Sequence, residues 1–412
     1  MLGELTPAQR RQAILVIVVA ALGYFVDIYD LLLFSMVRNA SLTALGVPPD
    51  QLLGKGLTLL NMQMGGMLVG GVLWGVLGDK KGRLSVLFGS IVLYSLANLL
   101  NGMATTVGQY AILRLVAGIG LAGELGAGIT LVAEVMPKAS RGWGTSIVAA
   151  VGILGAVAGY FVASLTDWRH AYFIGGGLGL LLLLLRLGVV ESGLFVRVAA
   201  THPRRGDFLM LFNDAGRFLR YLRVIAIGLP LWYLVGILIT LSPEFGRAFG
   251  FSEPPNAGRA VALCYTGLAI GDLASGMVSQ VLRSRRKAVL LFLLAQLAGV
   301  ALYFTVGTLG LQQFYACCFG LGLAGGYWAM FVTIGSEQFG TNIRATVTTT
   351  VPNMVRGAVV PMTLAFTWLK GQGLGLPQAA LAIGALVFGP ALWGLAGLEE
   401  TFHKDLDYTE HT

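Results

Sequence analysis

The sequence contains little charge and little cysteine. Only 12% of its 412 residues are Asp, Glu, Lys or Arg, whereas 56% are hydrophobic, and the mean hydropathy is +0.77. These values lie outside the range of soluble globular domains and predict an integral membrane protein. The three cysteines, Cys264, Cys317 and Cys318, fall within apolar stretches, so neither a disulfide framework nor a metal site is indicated. No nucleophile–base set or metal-ligand spacing stands out, so an enzyme is the least favoured class and no cofactor is implied.

Long apolar stretches recur along the whole chain. A membrane helix needs about 20 predominantly apolar residues, and little sequence is left for a soluble domain once such stretches are assigned. The pattern therefore predicts an all-α integral membrane protein. Its twelve transmembrane helices, called spans below, are predicted at residues 13–38, 52–78, 84–103, 108–136, 143–165, 170–190, 223–242, 258–282, 288–308, 312–336, 346–370 and 377–397.

The basic residues indicate the orientation of the chain. Most of the 28 Lys and Arg residues lie on the side that bears both ends of the chain. Basic loops remain cytoplasmic, so we expect both termini in the cytoplasm and the protein in the inner (plasma) membrane. The net charge of +8 is split among short loops, which indicates topology and not a nucleic-acid partner. Membrane lipid is an expected partner, and the chain is expected to be a monomer.

The spans divide into two groups of six. We predict an N-terminal six-helix bundle at residues 1–190 and a C-terminal six-helix bundle with a short cytoplasmic tail at 223–412. Residues 191–222, rich in Arg and Phe, are predicted to be a cytoplasmic linker with an amphipathic portion.

The two groups also repeat a loop pattern. An Arg follows a Glu by seven positions after the fourth span, at Glu134 and Arg141, and again after the tenth span, at Glu337 and Arg344. Such an internal repeat is typical of duplicated transporter folds with pseudo-symmetric halves.

Two carboxylates interrupt the first span. Asp27 and Asp30 are three residues apart, so they share one helix face, where charge is costly without a partner cation, a proton or water. Arg114 of the fourth span is predicted at a similar depth. An ion pair between Arg114 and either aspartate would act as a proton switch, because protonation of the carboxylate would release the arginine. Alternatively, such a pair would only fix helix packing. Glu124, near the middle of the fourth span, is a second candidate for the protonated group, or alternatively a polar anchor that faces a neighbouring helix.

A further arginine lies inside the eleventh span. Arg356 follows Asn353 by three residues, so both side chains lie on one face and present donors that suit a carboxylate. Asp272 of the eighth span gives a competing explanation, because it could simply neutralise Arg356, or could itself take part in proton coupling. Arg186 is expected to extend from the end of the sixth span towards the cytoplasm.

Aromatic residues within the spans are candidates to line a cavity. Packing is their more common role in membrane helices and is the interpretation favoured for each, although Tyr29 is kept as a candidate substrate contact. The six residues are Tyr24, Tyr29, Trp232, Tyr233, Tyr327 and Trp328.

The loop between the second and third spans resembles the signature of the major facilitator superfamily. It reads Gly-Val-Leu-Gly-Asp-Lys-Lys-Gly-Arg from Gly75 to Arg83. The resemblance implies two six-helix bundles that rock around a central cavity to expose it to alternate sides. It also implies a conformational latch at the cytoplasmic ends, made of Gly75, Asp79, Lys80, Gly82, Arg83, Glu134, Arg141, Glu337 and Arg344.

Other segments resemble the metabolite:proton and aromatic-acid:proton symporters and the related organic anion transporters of that superfamily. In the organic-acid members, an arginine before a Gly/Ala-rich stretch and a Pro contacts the substrate carboxylate, and Arg356 is the matching residue. The fifth span lacks the Gly-Pro pair of proton-driven drug antiporters. The seventh span lacks the paired glutamines of sugar porters.

These observations predict a secondary active transporter that moves a small organic anion, a carboxylate, together with protons. Arg356, Asn353, Arg114 and Tyr29 are the predicted substrate contacts. Asp27, Asp30, Glu124 and Asp272 are the predicted proton-coupling residues. Two alternatives remain open: a proton-driven exporter or antiporter of a cationic or amphipathic compound, and a non-transporting sensor with a transporter fold.

Overall fold

A computed structural model describes residues 7–135, 141–186, 208–340, 343–402 and 410. Within these ranges the regular structure is helical throughout. Eleven helical stretches among the described residues are long and apolar enough to cross a membrane. The predicted all-α membrane fold is therefore confirmed, and the twelfth predicted crossing is accounted for by a pair of shorter helices.

The helices follow the predicted spans closely. In the first half they are Pro7–Ala44, Leu52–Lys81, Arg83–Gly102, Val107–Leu121 with Glu124–Val135, Arg141–Leu165 and Trp168–Arg186. In the second half they are Ala215–Tyr233 continued by the π-helix Leu234–Ile239, Ala257–Leu282, Arg285–Thr305, Leu311–Gly325 with Trp328–Glu337, Arg344–Gly357 with Val359–Gly371, and Leu376–Gly397. Three short helices, Phe208–Leu211, Ser242–Ala248 and Val306–Leu309, lie between spans.

Side-chain caps set several helix starts. Thr106, Asp214, Asn256 and Ser284 each accept the backbone N–H of the residue three positions later, which satisfies a donor that the helix itself leaves unpaired. The cap at Asp214 explains why the seventh span begins at Ala215 instead of residue 223. The rest of the predicted linker, up to residue 207, lies outside the described residues.

The eleventh span is broken, which the sequence analysis did not predict. Its first helix ends at Gly357 and its second begins at Val359. Pro361 has no N–H for the carbonyl of Gly357, and its ring crowds that carbonyl, so a continuous helix is disfavoured at this point. The break places Arg356 at the end of a helix and inside the membrane region.

The fourth and tenth spans are also broken, at equivalent positions of the two halves. The fourth span is interrupted between Leu121 and Glu124, and the tenth between Gly325 and Trp328. The last residues before the two breaks, Leu121 and Gly325, are 204 positions apart in the sequence, and so are the first residues after them, Glu124 and Trp328. The internal repeat therefore extends to the backbone of the membrane core.

Glycine permits a backbone contact between the eighth and tenth spans. A Cβ atom on Gly326 would lie 2.2 Å from the carbonyl carbon of Gly271 and 2.5 Å from the nitrogen of Asp272. No side chain fits in that space, so the two helices touch backbone to backbone. Between the halves, the second span packs against the eleventh and the fifth against the eighth.

Candidate functional site

Arg356 lies at the interface of the two halves. Its side chain is 1% exposed, and its Nη1 is 3.5 Å from the Asn353 side-chain oxygen. The guanidinium carbon is 5.7 Å from the ring centre of Trp232 and 6.0 Å from that of Trp328. Aromatic faces attract a cation without neutralising it. Arg356 therefore keeps its capacity to bind an anion.

The two tryptophans were not favoured as site residues by the sequence analysis. Trp232 and Trp328 are 3% and 6% exposed, and the Trp232 ring nitrogen has no hydrogen-bond partner in the described structure. Tyrosines of the same set are hydrogen-bonded within the protein. Tyr233 donates to the Ala380 carbonyl at 2.9 Å. The sequence alone cannot distinguish the tryptophans from these tyrosines, because both occur in apolar runs.

The first span faces Arg356 from the other half. Asp27 is fully buried and lies within electrostatic range of Arg356, and neither of its carboxylate oxygens has a hydrogen-bond partner among the described residues. Tyr24, one helical turn earlier, is within range of Arg356 and Asp272 as well. The structure thus brings together predicted residues of the first and eleventh spans.

Asp30 and Arg114 form a second polar region inside the first half. Both are fully buried, and within the described ranges neither the Asp30 oxygens nor the three guanidinium nitrogens of Arg114 have a hydrogen-bond partner. The two side chains are within electrostatic range, but Arg114 lies 5.3 Å from the ring centre of Phe34 and 5.7 Å from that of Tyr172. The predicted direct ion pair is therefore not formed in this structure.

Glu124 is held in a buried ion pair. Arg186 donates to its two oxygens at 2.9 and 2.6 Å, and the Ser90 hydroxyl donates at 2.9 Å. Arg186 also donates to the Leu87 carbonyl at 2.8 Å. The expectation that Arg186 extends towards the cytoplasm was wrong, because its carboxylate partner lies within the bundle, and Glu124 is occupied as a structural anchor.

Asp272 caps the inner half of the broken tenth span. Its carboxylate accepts the backbone N–H of Ala329 at 3.1 Å, near the start of the helix Trp328–Glu337. Unpaired N–H groups at a helix start favour such a carboxylate. No ion pair with Arg356 within 4.0 Å accompanies this contact among the described residues. The competing explanation, that Asp272 neutralises Arg356 directly, is therefore not supported.

Tyr29 lies away from Arg356. Its hydroxyl donates to the Ala171 carbonyl of the sixth span at 2.9 Å, and its ring packs near Gly159 and Gly175. The predicted substrate contact is therefore replaced by a packing contact within the first half.

The predicted latch is only partly described. Gly75 faces Thr350 of the eleventh span, whose methyl group would lie 3.4 Å from a Cβ atom at Gly75, and Gly82 adopts φ 99° in the tight turn between spans two and three. Lys80 is exposed. The side chains of Asp79, Arg83, Glu134 and Arg141 lie outside the described residues.

In the second half, the latch residues join a network with the C-terminal segment. Glu337 accepts from the Thr401 hydroxyl at 2.6 Å and pairs with Arg285 at 3.4 Å. Arg344 donates through Nε to the carbonyls of Ser336 and Phe339 at 2.9 and 3.2 Å. The polar contacts of this region therefore fix the ends of three spans to one another.

Glu400 completes that network at the start of the ninth span. It accepts hydrogen bonds from the Ser284 hydroxyl and from the backbone N–H groups of Arg285, at 2.9 Å, and Arg286, at 3.2 Å. Burial alone would raise the pKa of Glu400, but the bonds from Ser284 and the backbone together hold it below its usual value.

On the predicted outer side, polar contacts join the halves. Arg38 of the first span donates to both oxygens of Glu244 at 2.6 and 2.7 Å. The Thr240 hydroxyl donates to Ser35 at 3.0 Å. A third contact, from Thr363 to Asn61 at 2.6 Å, joins the eleventh and second spans. The sequence offered no signal for these pairs, whose members are more than 200 residues apart.

On the predicted inner side, Asn353 closes the interface. Its amide donates to the Ala122 carbonyl, at the break of the fourth span, at 2.9 Å. The same side chain packs against Gly71 of the second span. Inter-half contacts therefore lie on both sides of Arg356, and Asn353 touches both the arginine and the inner closure.

Comparison with known proteins gives consistent matches. Residues 13–361 match the sequence pattern of the Major Facilitator Superfamily. A protein of Haemophilus influenzae named for metabolite transport is 27% identical over 392 residues, 90% of this chain and 91% of that protein. The 3-(3-hydroxy-phenyl)propionate transporter of Escherichia coli is 27% identical over 378 residues, 88% of this chain and 91% of that transporter.

A solved structure shows the shared fold. The crystal structure of a D-xylose-proton symporter superimposes with a TM-score of 0.71 at 17% identity, covering 95% of this chain and 99% of the symporter. The chain therefore belongs to the major facilitator superfamily and is a membrane transporter, not an enzyme.

Proposed function

We propose that this transporter carries a small organic carboxylate, preferably an aromatic one, together with protons. The observation that carries the proposal is Arg356, a buried guanidinium with two aromatic faces and no carboxylate partner within 4.0 Å among the described residues. A buried guanidinium of this kind is stabilised by an acceptor that takes two parallel hydrogen bonds. A substrate carboxylate supplies one, and Asn353 presents a further amide beside it.

The indole rings support a planar substrate body. Trp232 and Trp328 lie on the guanidinium and present buried apolar surface together with one unpaired ring N–H, on Trp232. A phenyl ring can stack on such surfaces, and a hydroxyl or carboxylate oxygen can accept the N–H. The Escherichia coli relative named above transports a phenolic carboxylate by its name, which is consistent with this site.

Proton coupling follows from the charge balance at Arg356. An ionised Asp27 lies within electrostatic range of Arg356, so it would compete with a substrate carboxylate bound to the same cation. Protonation of Asp27 removes that competition, so a proton and an organic anion bind more favourably together than either binds alone. Positive coupling of this sign corresponds to symport.

The same geometry weighs against the alternatives. An exporter of cations would place its substrate beside Arg356, where like charges repel. A non-transporting sensor would not need two unpaired carboxylates, Asp27 and Asp30, in the first span. A cationic substrate therefore requires a site elsewhere in the bundle.

Transport in proteoliposomes tests the proposal. Uptake of 3-(3-hydroxyphenyl)propionate, benzoate and an aliphatic carboxylate is measured with and without an inward pH gradient. Accumulation of the aromatic acids only under the gradient is expected. Arg356→Lys keeps the charge but loses the bidentate donor pair, so KM should rise by about ten- to a hundredfold, the value of one or two charged hydrogen bonds.

The matched control is Arg259→Lys, since Arg259 is an exposed arginine that also lies on an aromatic ring, that of Tyr315, at 4.5 Å. This variant should transport normally. Uptake of the acids that is unaffected by Arg356→Lys, or proton-driven expulsion of a cation, would refute the proposal.

A further inference from the structure

The third span carries a polar stripe on one face. Ser90, Tyr94, Asn98 and Asn101 follow one another at intervals of four, four and three residues, so they line one side of the helix. All four side chains are fully buried. The stripe extends from the centre of the first half to Asn101, one residue before the helix ends at Gly102 on the predicted outer side.

Most polar atoms of this stripe have no partner among the described residues. Within that part of the chain, no hydrogen bond is made by the Tyr94 hydroxyl or by either side-chain polar atom of Asn98 and of Asn101. Ser90, at the inner end, is engaged, since it donates to Glu124 at 2.9 Å. Buried amides without partners are costly, and natural proteins satisfy them with ordered water.

Asp30 lies beside the middle of the stripe. Asn98 is its polar neighbour on the third span, and Arg114 faces it from the fourth. Tyr94 and Tyr172 of the third and sixth spans also lie within its electrostatic range. In the part of the chain that the structure describes, no group is hydrogen-bonded to the oxygens of Asp30 or to the side-chain nitrogens of Arg114. Beyond Tyr94, the Glu124–Arg186 pair ends the polar region on the inner side.

We propose that the polar stripe of the third span is a hydrated proton route that leads from the outer end of the span, at Asn101, past Asn98 to Asp30. This proposal rests on the proton coupling proposed above at Asp27 and assigns its entry path, because Asp30 lies one helical turn from Asp27, within its electrostatic range, and can pass the proton on to it. The route lies inside the first half, apart from the interface where Arg356 is placed. The substrate and the proton therefore enter through different parts of the molecule.

The transfer is a relay along hydrogen-bonded water. A proton from the outer solution joins the water beside Asn101, each water accepts one proton and passes one on, and the Asp30 carboxylate accepts the last. The amides of Asn98 and Asn101 hold the water by offering both a donor and an acceptor. No bond other than O–H is formed or broken: the relay protonates Asp30, and transfer of that proton from Asp30 to its neighbour Asp27 completes the delivery.

The test replaces the amides with apolar groups of similar size. The double variant Asn98→Leu/Asn101→Leu should exclude water from the stripe. With a pH gradient of one unit, the wild-type protein can accumulate 3-(3-hydroxyphenyl)propionate at most about tenfold, the limit for one coupled proton. In the double variant the ratio of internal to external substrate should fall to about one. Exchange of labelled for unlabelled substrate without a gradient should continue, because it needs no net proton transfer. The thermal midpoint should not fall, since unpaired polar atoms are removed.

Two further variants complete the design. Asn98→Ser/Asn101→Ser keeps hydrogen-bonding groups and leaves room for water, so it should retain accumulation. Gln63→Leu removes another buried amide of the first half, which donates to the Leu31 carbonyl at 3.2 Å outside the stripe, and should also retain accumulation.

The outcomes separate the two proposals. Full accumulation by the leucine variant, or equal loss of exchange and accumulation, overturns the proton route. Accumulation driven by a sodium gradient instead overturns it too, because the stripe would then be a cation site. Wild-type protein that exchanges the substrate without any response to a pH gradient refutes the proposed symport itself.

Discussion

Four arginines in the membrane core differ in what faces them. Arg38, Arg114, Arg186 and Arg356 are each at most 1% exposed. Arg38 and Arg186 donate to both oxygens of a glutamate. Arg114 and Arg356 lie on aromatic rings, with aspartates of the first span in range but unbonded. The paired arginines hold helices together, and the unpaired ones remain able to change partners.

At the scale of single residues, the Glu124–Arg186 pair gives a direct prediction. Glu124→Gln leaves Arg186 as an uncompensated buried charge, which should lower the free energy of unfolding by about 3–5 kcal/mol. Glu124→Gln/Arg186→Met should recover most of that loss. Thermal unfolding in detergent measures both variants. Normal stability of Glu124→Gln combined with loss of pH-dependent uptake would instead make Glu124 a proton carrier.

The sequence predicted some site residues and not others for a physical reason. A polar or ionisable residue within an apolar run is itself a signal, so Asp27, Asn353 and Arg356 could be singled out as candidates. Tryptophan in such a run has no contrast with its neighbours, so Trp232 and Trp328 could not be distinguished from packing residues. The partner of Arg186 lies 62 residues away, and such pairings depend on how helices pack.

At the scale of the helices, breaks create places where polar groups meet the backbone. Asn353 donates to the Ala122 carbonyl beside the break of the fourth span, and Asp272 accepts from Ala329 beside that of the tenth. Hydropathy predicted the positions of these spans but not their interruption, because glycine and alanine at the breaks are equally compatible with a continuous membrane helix.

The contacts of the first span with Thr240 and with the short helix Ser242–Ala248 form an outer closure that can be tested. Arg38→Gln removes the buried pair with Glu244, so the outer side should open in a larger fraction of molecules. Spin labels on the exposed positions Thr43 and Arg247, in a cysteine-free background, would report the longer distances. The exchanged pair Arg38→Glu/Glu244→Arg should restore the closed distance, and an unchanged distance in Arg38→Gln would show that this pair does not control closure.

At the scale of the whole molecule, the two halves contact each other on both sides of Arg356. Asn61 and Thr363 join them on the predicted outer side, whereas Asn353 and Ala122 join them on the inner side. Asn353 also lies 3.5 Å from Arg356. A substrate that binds the arginine therefore acts directly on a residue that holds the inner closure.

Asn353→Ala should uncouple the two events. It removes the bond to Ala122 and leaves Arg356 in place, so the inner side should open more often without substrate. Reactivity of a cysteine introduced at Gly75, where a Cβ atom would lie 3.4 Å from the Thr350 methyl group of the eleventh span, with a small maleimide would measure this opening in Asn353→Ala and in Asn353→Gln. Substrate should alter reactivity in the Gln variant but much less in Ala. Equal responses would contradict the coupling.

The overall architecture was predictable because membrane helices must satisfy their own backbone hydrogen bonds, so length and hydropathy determine where they occur. The packing of the two halves was not, since it depends on contacts such as Arg38 with Glu244 across more than 200 residues. The seventh span began at Ala215, earlier than predicted, because the cap at Asp214 lies within a polar segment that hydropathy assigns to the linker.

The contact between Gly271 and Gly326 has a mechanical consequence. Because the two backbones are in direct contact, movement of the eighth span against the tenth would break close packing, so we expect the two to shift together. Trp328, two residues beyond Gly326, is carried along with them. A tilt of the eighth span, which packs against the fifth across the interface, is therefore transmitted as a displacement of the indole that covers Arg356.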